Sequence, residues 1–345
     1  MPESVLAGTT APAAGRRVSP TGRLILPADA DRELWLQTRR AGIGSSDVPA
    51  ILGLVEKNPP VKVYYDKLGY DVDDAGEAAY WGTVNEENVA RRWAMQSRSV
   101  IRRVGLVAHA DHPHWMTTLD RRVTECPLAE DEQAPCALEC KTRSAFKSAQ
   151  WHAGAPDDVT AQVLWQIIVN GYEHMHYAVL IGGNDYHQGV IRADQYRDVM
   201  ADIVVAVDRF WTEHVLAEVP PEPTGDGDAV TRVLRRVHPT RSGSVDVDMH
   251  PDAYYALLDY TRHRRAEAAA RKSKNEAKAR LVAALGAAQE ARLDGERAYS
   301  LEPTSAAPKV DFELMAERYP DAYAACVAPN PTERIAIAQQ YKGDI

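Results

Sequence analysis

No stretch of this chain approaches the ~20 consecutive apolar residues that a membrane-spanning helix needs. Its first residues also lack the charged-then-apolar pattern of a secretory leader. A bilayer partner is therefore not expected, and the sequence predicts a cytoplasmic protein. Cysteine is scarce: Cys126, Cys136, Cys140 and Cys326 stand at irregular spacing, too few to staple 345 residues as a disulfide framework. They form no CxxC pair, and no fourth ligand stands near Cys126, Cys136 and Cys140 in the chain, which argues against zinc or an iron–sulfur cluster. A cationic surplus is missing too. The net charge of −9 is the wrong sign for wholesale neutralisation of phosphates.

The average hides local structure in the charge. Between Arg262 and Arg280 eight Lys or Arg face two Glu, a local balance of +6. Basic pairs recur at Arg39-Arg40, Arg91-Arg92, Arg102-Arg103, Arg121-Arg122 and Arg235-Arg236; such pairs are expected mostly as solvated surface. The apolar share of 45% suffices for an ordinary core. The length allows one large domain plus an appendage, or two domains.

The informative stretch runs from Trp115 to Lys141. His114-Trp115-Met116-Thr117-Thr118-Leu119-Asp120 reads as a strand, a polar and proline-containing loop follows, and Ala137-Leu138-Glu139-Cys140-Lys141 reads as another. Strand side chains alternate faces, so Glu139 and Lys141 share one face and Cys140 takes the other. If the two runs form a hairpin, Asp120 swings over the same spot. Two carboxylates and an ammonium suit a hard divalent cation and a water molecule. Glu276-Ala277-Lys278 repeats the letters, but in an alanine- and arginine-rich helical run, where residues two apart do not share a face.

The flanking segments add candidates. Glu33 to Gln37 predicts a short helix, and Gly42-Ile43-Gly44-Ser45-Ser46-Asp47 a tight approach to a second, capped by Ser45 or Ser46. The free amides there, with Ser46 and Arg39 or Arg40, could hold a phosphate; a plain capped turn accounts for the letters equally well. Pro60 to Leu68 is a further helix. Another begins near Tyr80-Trp81-Gly82, with Val89 and Trp93 on its inward stripe and Glu86 beside them as a possible third carboxylate. Strands are predicted over Val100–Ala108, Pro135–Thr142, Tyr177–Ile181 and His187–Arg192, and helices from Pro156 to Asn170 and over residues 194–217. Gln162 and Gln166, four apart, share a face from which they could orient a metal-bound water or a phosphate. This order of helices and strands predicts an α/β fold, a mixed sheet flanked by helices. Pro220-Pro221-Glu222-Pro223 opens a linker over residues 219–251, and residues 252–345 form a C-terminal extension with a long basic helix, an arm against a partner or DNA. Residues 1–26 are expected as a disordered tail, which leaves 27–218 as the main domain.

Arg40, Gly42-Ile43-Gly44-Ser45-Ser46-Asp47, Trp81-Gly82-x-x-x-Glu86, Leu119-Asp120, Leu138-Glu139-Cys140-Lys141 and Ala161-Gln162, in this order, resemble the YqaJ-type viral recombinase family. That family is the phage-lambda-exonuclease-like branch of the PD-(D/E)XK nucleases. The resemblance covers roughly residues 31–217. It implies a restriction-endonuclease-like core that works as a Mg²⁺-dependent 5′→3′ exonuclease on double-stranded DNA ends and leaves 3′ strands for recombination. Asp120 and Glu139 would bind two Mg²⁺ ions, for which Mn²⁺ substitutes, with the main-chain carbonyl of Cys140 and help from Glu86. Lys141 would position and help deprotonate the attacking water, and Gln162 would hold the arrangement. Arg40 and Ser46, or Arg39 in place of Arg40, would hold the DNA 5′-phosphate. A homo-oligomer, often a ring-shaped trimer, and a single-strand-annealing protein as partner are further implied. Leu119 stands where the family motif shows a Pro near its first Asp. Two alternatives are a Cas4-like or structure-selective nuclease for single strands and flaps, against which the lack of a four-cysteine cluster counts, and an inactive DNA-binding scaffold.

Overall fold

The computed structural model describes residues 15–72, 76–128, 133–246, 251–303, 310–327 and 335–338. Residues 1–14 of the expected tail lie outside this set. The chain divides into two units, residues 1–241 and 242–345.

The end of the expected tail is not a tail. Leu24-Ile25-Leu26 is an apolar run among small residues, and it belongs to strand β1 (Gly22–Leu26). Helices α1 (Arg32–Arg39), α2 (Val48–Ile51), α3 (Pro60–Lys67) and α4 (Glu77–Ser97) follow. Asp31 starts α1 by accepting from the Glu33 and Leu34 amides at 2.9 and 3.1 Å, satisfying donors that a helix start leaves open. α4 buries Val89, Ala90 and Trp93 on one stripe and stops at Arg98, which takes the left-handed conformation.

Next come β2 (Ile101–Arg102), β3 (Leu106–His109), β4 (Met116–Thr118), β5 (Arg121–Val123), β6 (Cys136–Arg143), α5 (Asp157–Asn170), β7 (His174–Ile181), β8 (Asp185–Arg192) and α6 (Arg197–Arg209), which runs on as a π-helical stretch through Leu216. They build two sheets. A three-stranded sheet has the order β1-β3-β4, and a five-stranded one the order β2-β5-β6-β7-β8. β6 and β7 are parallel, joined by α5 as crossover, and the other neighbours are antiparallel.

Two expectations are corrected by this topology. The predicted strand Val100–Ala108 is two strands in different sheets, parted at Gly105, where a side chain would run into the Leu26 carbonyl. The run ending at Asp120 does not form a hairpin with residues 135–142. β4 belongs to the smaller sheet, and the three-residue β5 pairs with β6 instead, Arg121 opposite Leu138. Asp120 therefore sits where the chain passes from one sheet to the other.

α5 is almost wholly buried, from Val159 to Asn170, and packs on the opposite face of the large sheet from α4. Gly171 ends it at φ 66°, and a Cβ there would meet Thr21 Oγ1 at 2.9 Å, so glycine answers both the backbone and the space. The expected linker is corrected as well. Past its prolines, Asp226 caps helix α7 (Gly227–Val237), and Val230, Val233 and Val237 pack on Val61 and Val72. The first unit thus reaches Arg241 rather than 218.

In the second unit α8 (Pro251–Leu285) is one 35-residue helix, exposed along its basic middle. A hairpin of β9 (Glu290–Leu293) and β10 (Glu296–Ser300) and the short helices α9 (Phe312–Arg318) and α10 (Pro320–Cys326) complete the described part. Among the described residues no helix is long and apolar enough to cross a membrane.

Candidate active site

β6 carries the centre of the site, and its alternation is as the sequence predicts. Cys140 faces α4 and packs near Val89 and Trp93, while Glu139 and Lys141 face α5. Glu139 is 2% exposed, and a carboxylate so deep survives only with its oxygens matched. Oε1 accepts from Lys141 Nζ at 2.5 Å and from Gln162 Nε2 at 2.7 Å, and Oε2 from Gln166 Nε2 at 2.7 Å. Gln162 Oε1 in turn accepts from Lys141 Nζ at 2.8 Å, closing a ring of three side chains. The four-residue spacing on α5 puts both glutamines on one face, and both donate to the one carboxylate of Glu139.

Asp120 joins from the sheet-to-sheet crossing, its Oδ2 accepting the main-chain N–H of Cys140 at 2.7 Å. Burial pushes its carboxyl well above the usual range, Glu139 and Glu86 add to the shift, and Lys141 and the Cys140 amide oppose it. Glu86, from α4, is near enough to enter that balance, but its Oε1 is held by Arg121 Nη1 at 2.5 Å. Arg121 also reaches Glu87 at 2.8 Å and is 3% exposed. Arg121 is therefore not the solvated surface residue expected of the Arg121-Arg122 pair; it ties α4 to the start of β5. Nothing in the residue letters separates it from the exposed pairs; the signal lies in two glutamates on a neighbouring helix.

The second predicted cluster sits at the other end of β4. Ile43 N–H donates to the His114 carbonyl at 2.7 Å and Met116 N–H to the Ile43 carbonyl at 2.9 Å, so the glycine loop is stitched to the strand that leads to Asp120. Gly42 permits it: a Cβ would lie 2.4 Å from the His114 oxygen. Ser46 is exposed and lines a cavity of about 230 Å³ with Arg39, Asn58, Lys62, Asp47 and Asp66. Arg40 does not line it and lies 3.8 Å from Asp66. Neither serine caps α2. Asp47 holds that position without a side-chain cap bond, and α2 is a single turn, too short for a strong dipole.

Asp47 has another use, which sequence reasoning missed. It accepts from Arg39 at 2.9 Å, from the Gly44 amide at 2.9 Å and from Lys67 Nζ at 2.6 Å, and Lys67 is fully buried. Burial pushes the Asp47 carboxyl up, but the Lys67 and Arg39 charges and these donors outweigh it and hold it below the usual range. The glycine loop is thereby fixed to α1 and α3. The carboxylate cluster and this cavity are joined through β4 and the Thr117–Ser45 hydroxyl pair at 3.3 Å, not by direct contact between the predicted phosphate-binding and metal-binding side chains.

A carboxylate and a lysine two apart on one strand of a mixed sheet, an aspartate delivered beside them, and helices over both faces make up an α/β core with the site at its centre. Residues 34–173 match the YqaJ-like viral recombinase domain. The YqaJ protein of Bacillus subtilis (strain 168) is 31% identical over 222 residues, covering 62% of this chain; the chain spans 66% of that relative's length. Two structures of the alkaline exonuclease LHK-Exo, described from Laribacter hongkongensis and in complex with dAMP, are 16% and 18% identical, with TM-scores of 0.42 and 0.43. Each covers 54% of this chain and 94% of its own.

Proposed function

We propose that the chain is a divalent-metal-dependent 5′→3′ exonuclease that hydrolyses duplex DNA from its ends and leaves 3′ strands for annealing in a phage or prophage recombination system. The observation that carries the reading is the convergence of Asp120, Glu139 and Lys141 at the start of β5 and the middle of β6. The family's viral recombinase designation supports a DNA substrate.

The donor set fits Mg²⁺ or Mn²⁺. Asp120, Glu139 and the Cys140 carbonyl offer oxygen alone, which suits hard cations. Three acidic groups crowd one place; burial first, and then the charges of Glu139 and Glu86, push the Asp120 carboxyl upward, and a bound cation would offset both. When bound, two such ions would supply activation of water and neutralisation of charge on the leaving oxygen. The chain's own groups do the rest. Lys141 Nζ holds the attacking water and handles its proton. Gln162 fixes Lys141 against Glu139, and Gln166 fixes Glu139 from the core side. Glu86 assists, positioned by Arg121. Arg39 and Ser46, with Arg40 beside them, receive the 5′-phosphate in the cavity at the far end of β4. A ring-shaped homo-oligomer, a trimer, would encircle the duplex and hand its product to a single-strand-annealing protein.

The test compares linear with circular duplex, with and without 5′-phosphate, in Mg²⁺ and in Mn²⁺. Linear, phosphorylated duplex is expected to be degraded, and Glu139→Ala or Lys141→Ala to abolish this with the fold intact. Digestion at full rate by either variant sinks the assignment.

A further inference from the structure

On the α4 side of the large sheet, opposite the carboxylates, four soft side chains meet. Cys126 follows β5, Cys136 is the first residue of β6, and His174 and His176 are the first and third residues of β7. The register places them together. Val123 of β5 pairs with Cys136, and Leu138 pairs with His176, so Cys136, two residues earlier on a parallel strand, is level with His174. His174 and His176, two apart, share a face. Their ligand atoms all lie within 4.8 Å of one another, with Cys126 Sγ 3.3 Å from His174 Nε2 and 3.9 Å from His176 Nε2.

We propose that Cys126, Cys136, His174 and His176 form a structural Zn²⁺ site. Bonds of about 2.3 Å to sulfur and 2.0–2.1 Å to nitrogen put tetrahedral ligands roughly 3.3–3.8 Å apart. The observed limit of 4.8 Å is therefore closed by shifts of about an ångström or less in side chains. Two thiolates, two neutral imidazoles and a dication sum to zero charge, which suits a place where Cys136, His174 and His176 are 1–3% exposed. Soft sulfur with imidazole in a closed tetrahedron selects zinc over Mg²⁺. Cys126 is half-buried and lines an open cavity with Arg122, Thr124, Glu125 and Pro135, which gives the ion a way in. The cysteine spacing argued against zinc because the remaining ligands are not nearby in the chain. They begin 38 residues beyond Cys136, at His174, and are brought in by the β6–β7 crossover.

The ion would clamp the β5–β6 connection to β7, which steadies Asp120 and Arg121 at the other end of β5. The site does not depend on the nuclease reading. The experiment measures metal in the full chain, produced in zinc-containing medium and dialysed, by inductively coupled plasma mass spectrometry. A Glu139→Ala background excludes zinc held by the carboxylates. One Zn²⁺ per chain is expected, released in step with modification of two thiols by a mercurial. Cobalt substitution should give thiolate charge-transfer bands and intense tetrahedral d–d bands, altered in Cys126→Ser. That variant changes the half-exposed ligand, so the fold survives while zinc is lost and Tm falls by several degrees. A chain without stoichiometric zinc, zinc retained unchanged in Cys126→Ser with Cys136→Ser, or iron with sulfide in place of zinc would overturn the proposal.

Discussion

The main-chain N–H of Cys140 points at Oδ2 of Asp120 from 2.7 Å, so the strand bearing Glu139 and Lys141 positions the aspartate through its own backbone. That bond survives replacement of the carboxylate by an amide oxygen, whereas the charge does not. Asp120→Asn is therefore expected to keep the fold, abolish hydrolysis and, in EDTA, raise Tm, because a carboxylate penalised first by its burial and then by the charges of Glu139 and Glu86 is neutralised. Relief of ~1 kcal/mol corresponds to a rise of roughly 2–4 °C for a domain of this size. Addition of Mg²⁺ should stabilise the parent chain more than the variant. A lower Tm for the variant in EDTA would show that the carboxylate is structural.

The two glutamines of α5 serve one carboxylate from different depths, and their replacement should separate chemistry from stability. Gln166 is fully buried, and Gln166→Leu strips Glu139 Oε2 of its donor, at an expected cost of about 1–3 kcal/mol in urea unfolding. Gln162 is half-buried and also holds Lys141, so Gln162→Ala should lower kcat by roughly 10-fold or more, about 1.4 kcal/mol, with stability nearly unchanged. The reverse pattern would move the orienting role from Gln162 to Gln166.

Lys67→Met leaves Asp47 buried with Arg39 as its remaining cation. Breaking a buried pair by removing one partner costs about 3–5 kcal/mol, and Arg39 places this case at the lower end. Asp47→Asn with Lys67→Met should recover part of the loss. The pH dependence has a definite sign. Asp47 is held below its unfolded value, so its contribution is full above pH ~4 and is lost as pH falls further. Acid unfolding midpoints of the parent and Asp47→Asn measure it, and coincident acid limbs would remove Asp47 as a stabilising group.

Much of the site was legible because β6 and α5 are long and periodic. Period two placed Glu139 with Lys141, and a four-residue step placed Gln162 with Gln166. What escaped the sequence was fixed by partners far along the chain. β5 has three residues, two of them arginines, and looks like surface until Glu86 and Glu87 of α4 are set against it. Lys67 ends α3, where a cation is ordinarily solvated, yet it is buried because Asp47 comes from another element. α7 hid behind a proline-rich opening, although its valines keep helical spacing. β1 is a short apolar run set among small residues, and only its pairing with β3 marks it as a strand.

α8 puts eight Lys or Arg against two Glu between Arg262 and Arg280, and its middle is exposed. In a chain of net charge −9 such a segment is the natural place to meet phosphates. Replacing Arg271, Lys272, Lys274 and Lys278 together by Gln leaves helix propensity nearly unchanged while removing four charges. Duplex affinity, read by fluorescence anisotropy in the Glu139→Ala background so that the probe is not digested, should fall. The slope of log K against log salt should shrink by about 0.9 for each phosphate that is no longer neutralised. A decrease uniform across probe sequences would mark binding to the DNA backbone rather than base readout. Unchanged affinity together with an unchanged slope would take α8 off the DNA and leave its charges for a protein partner.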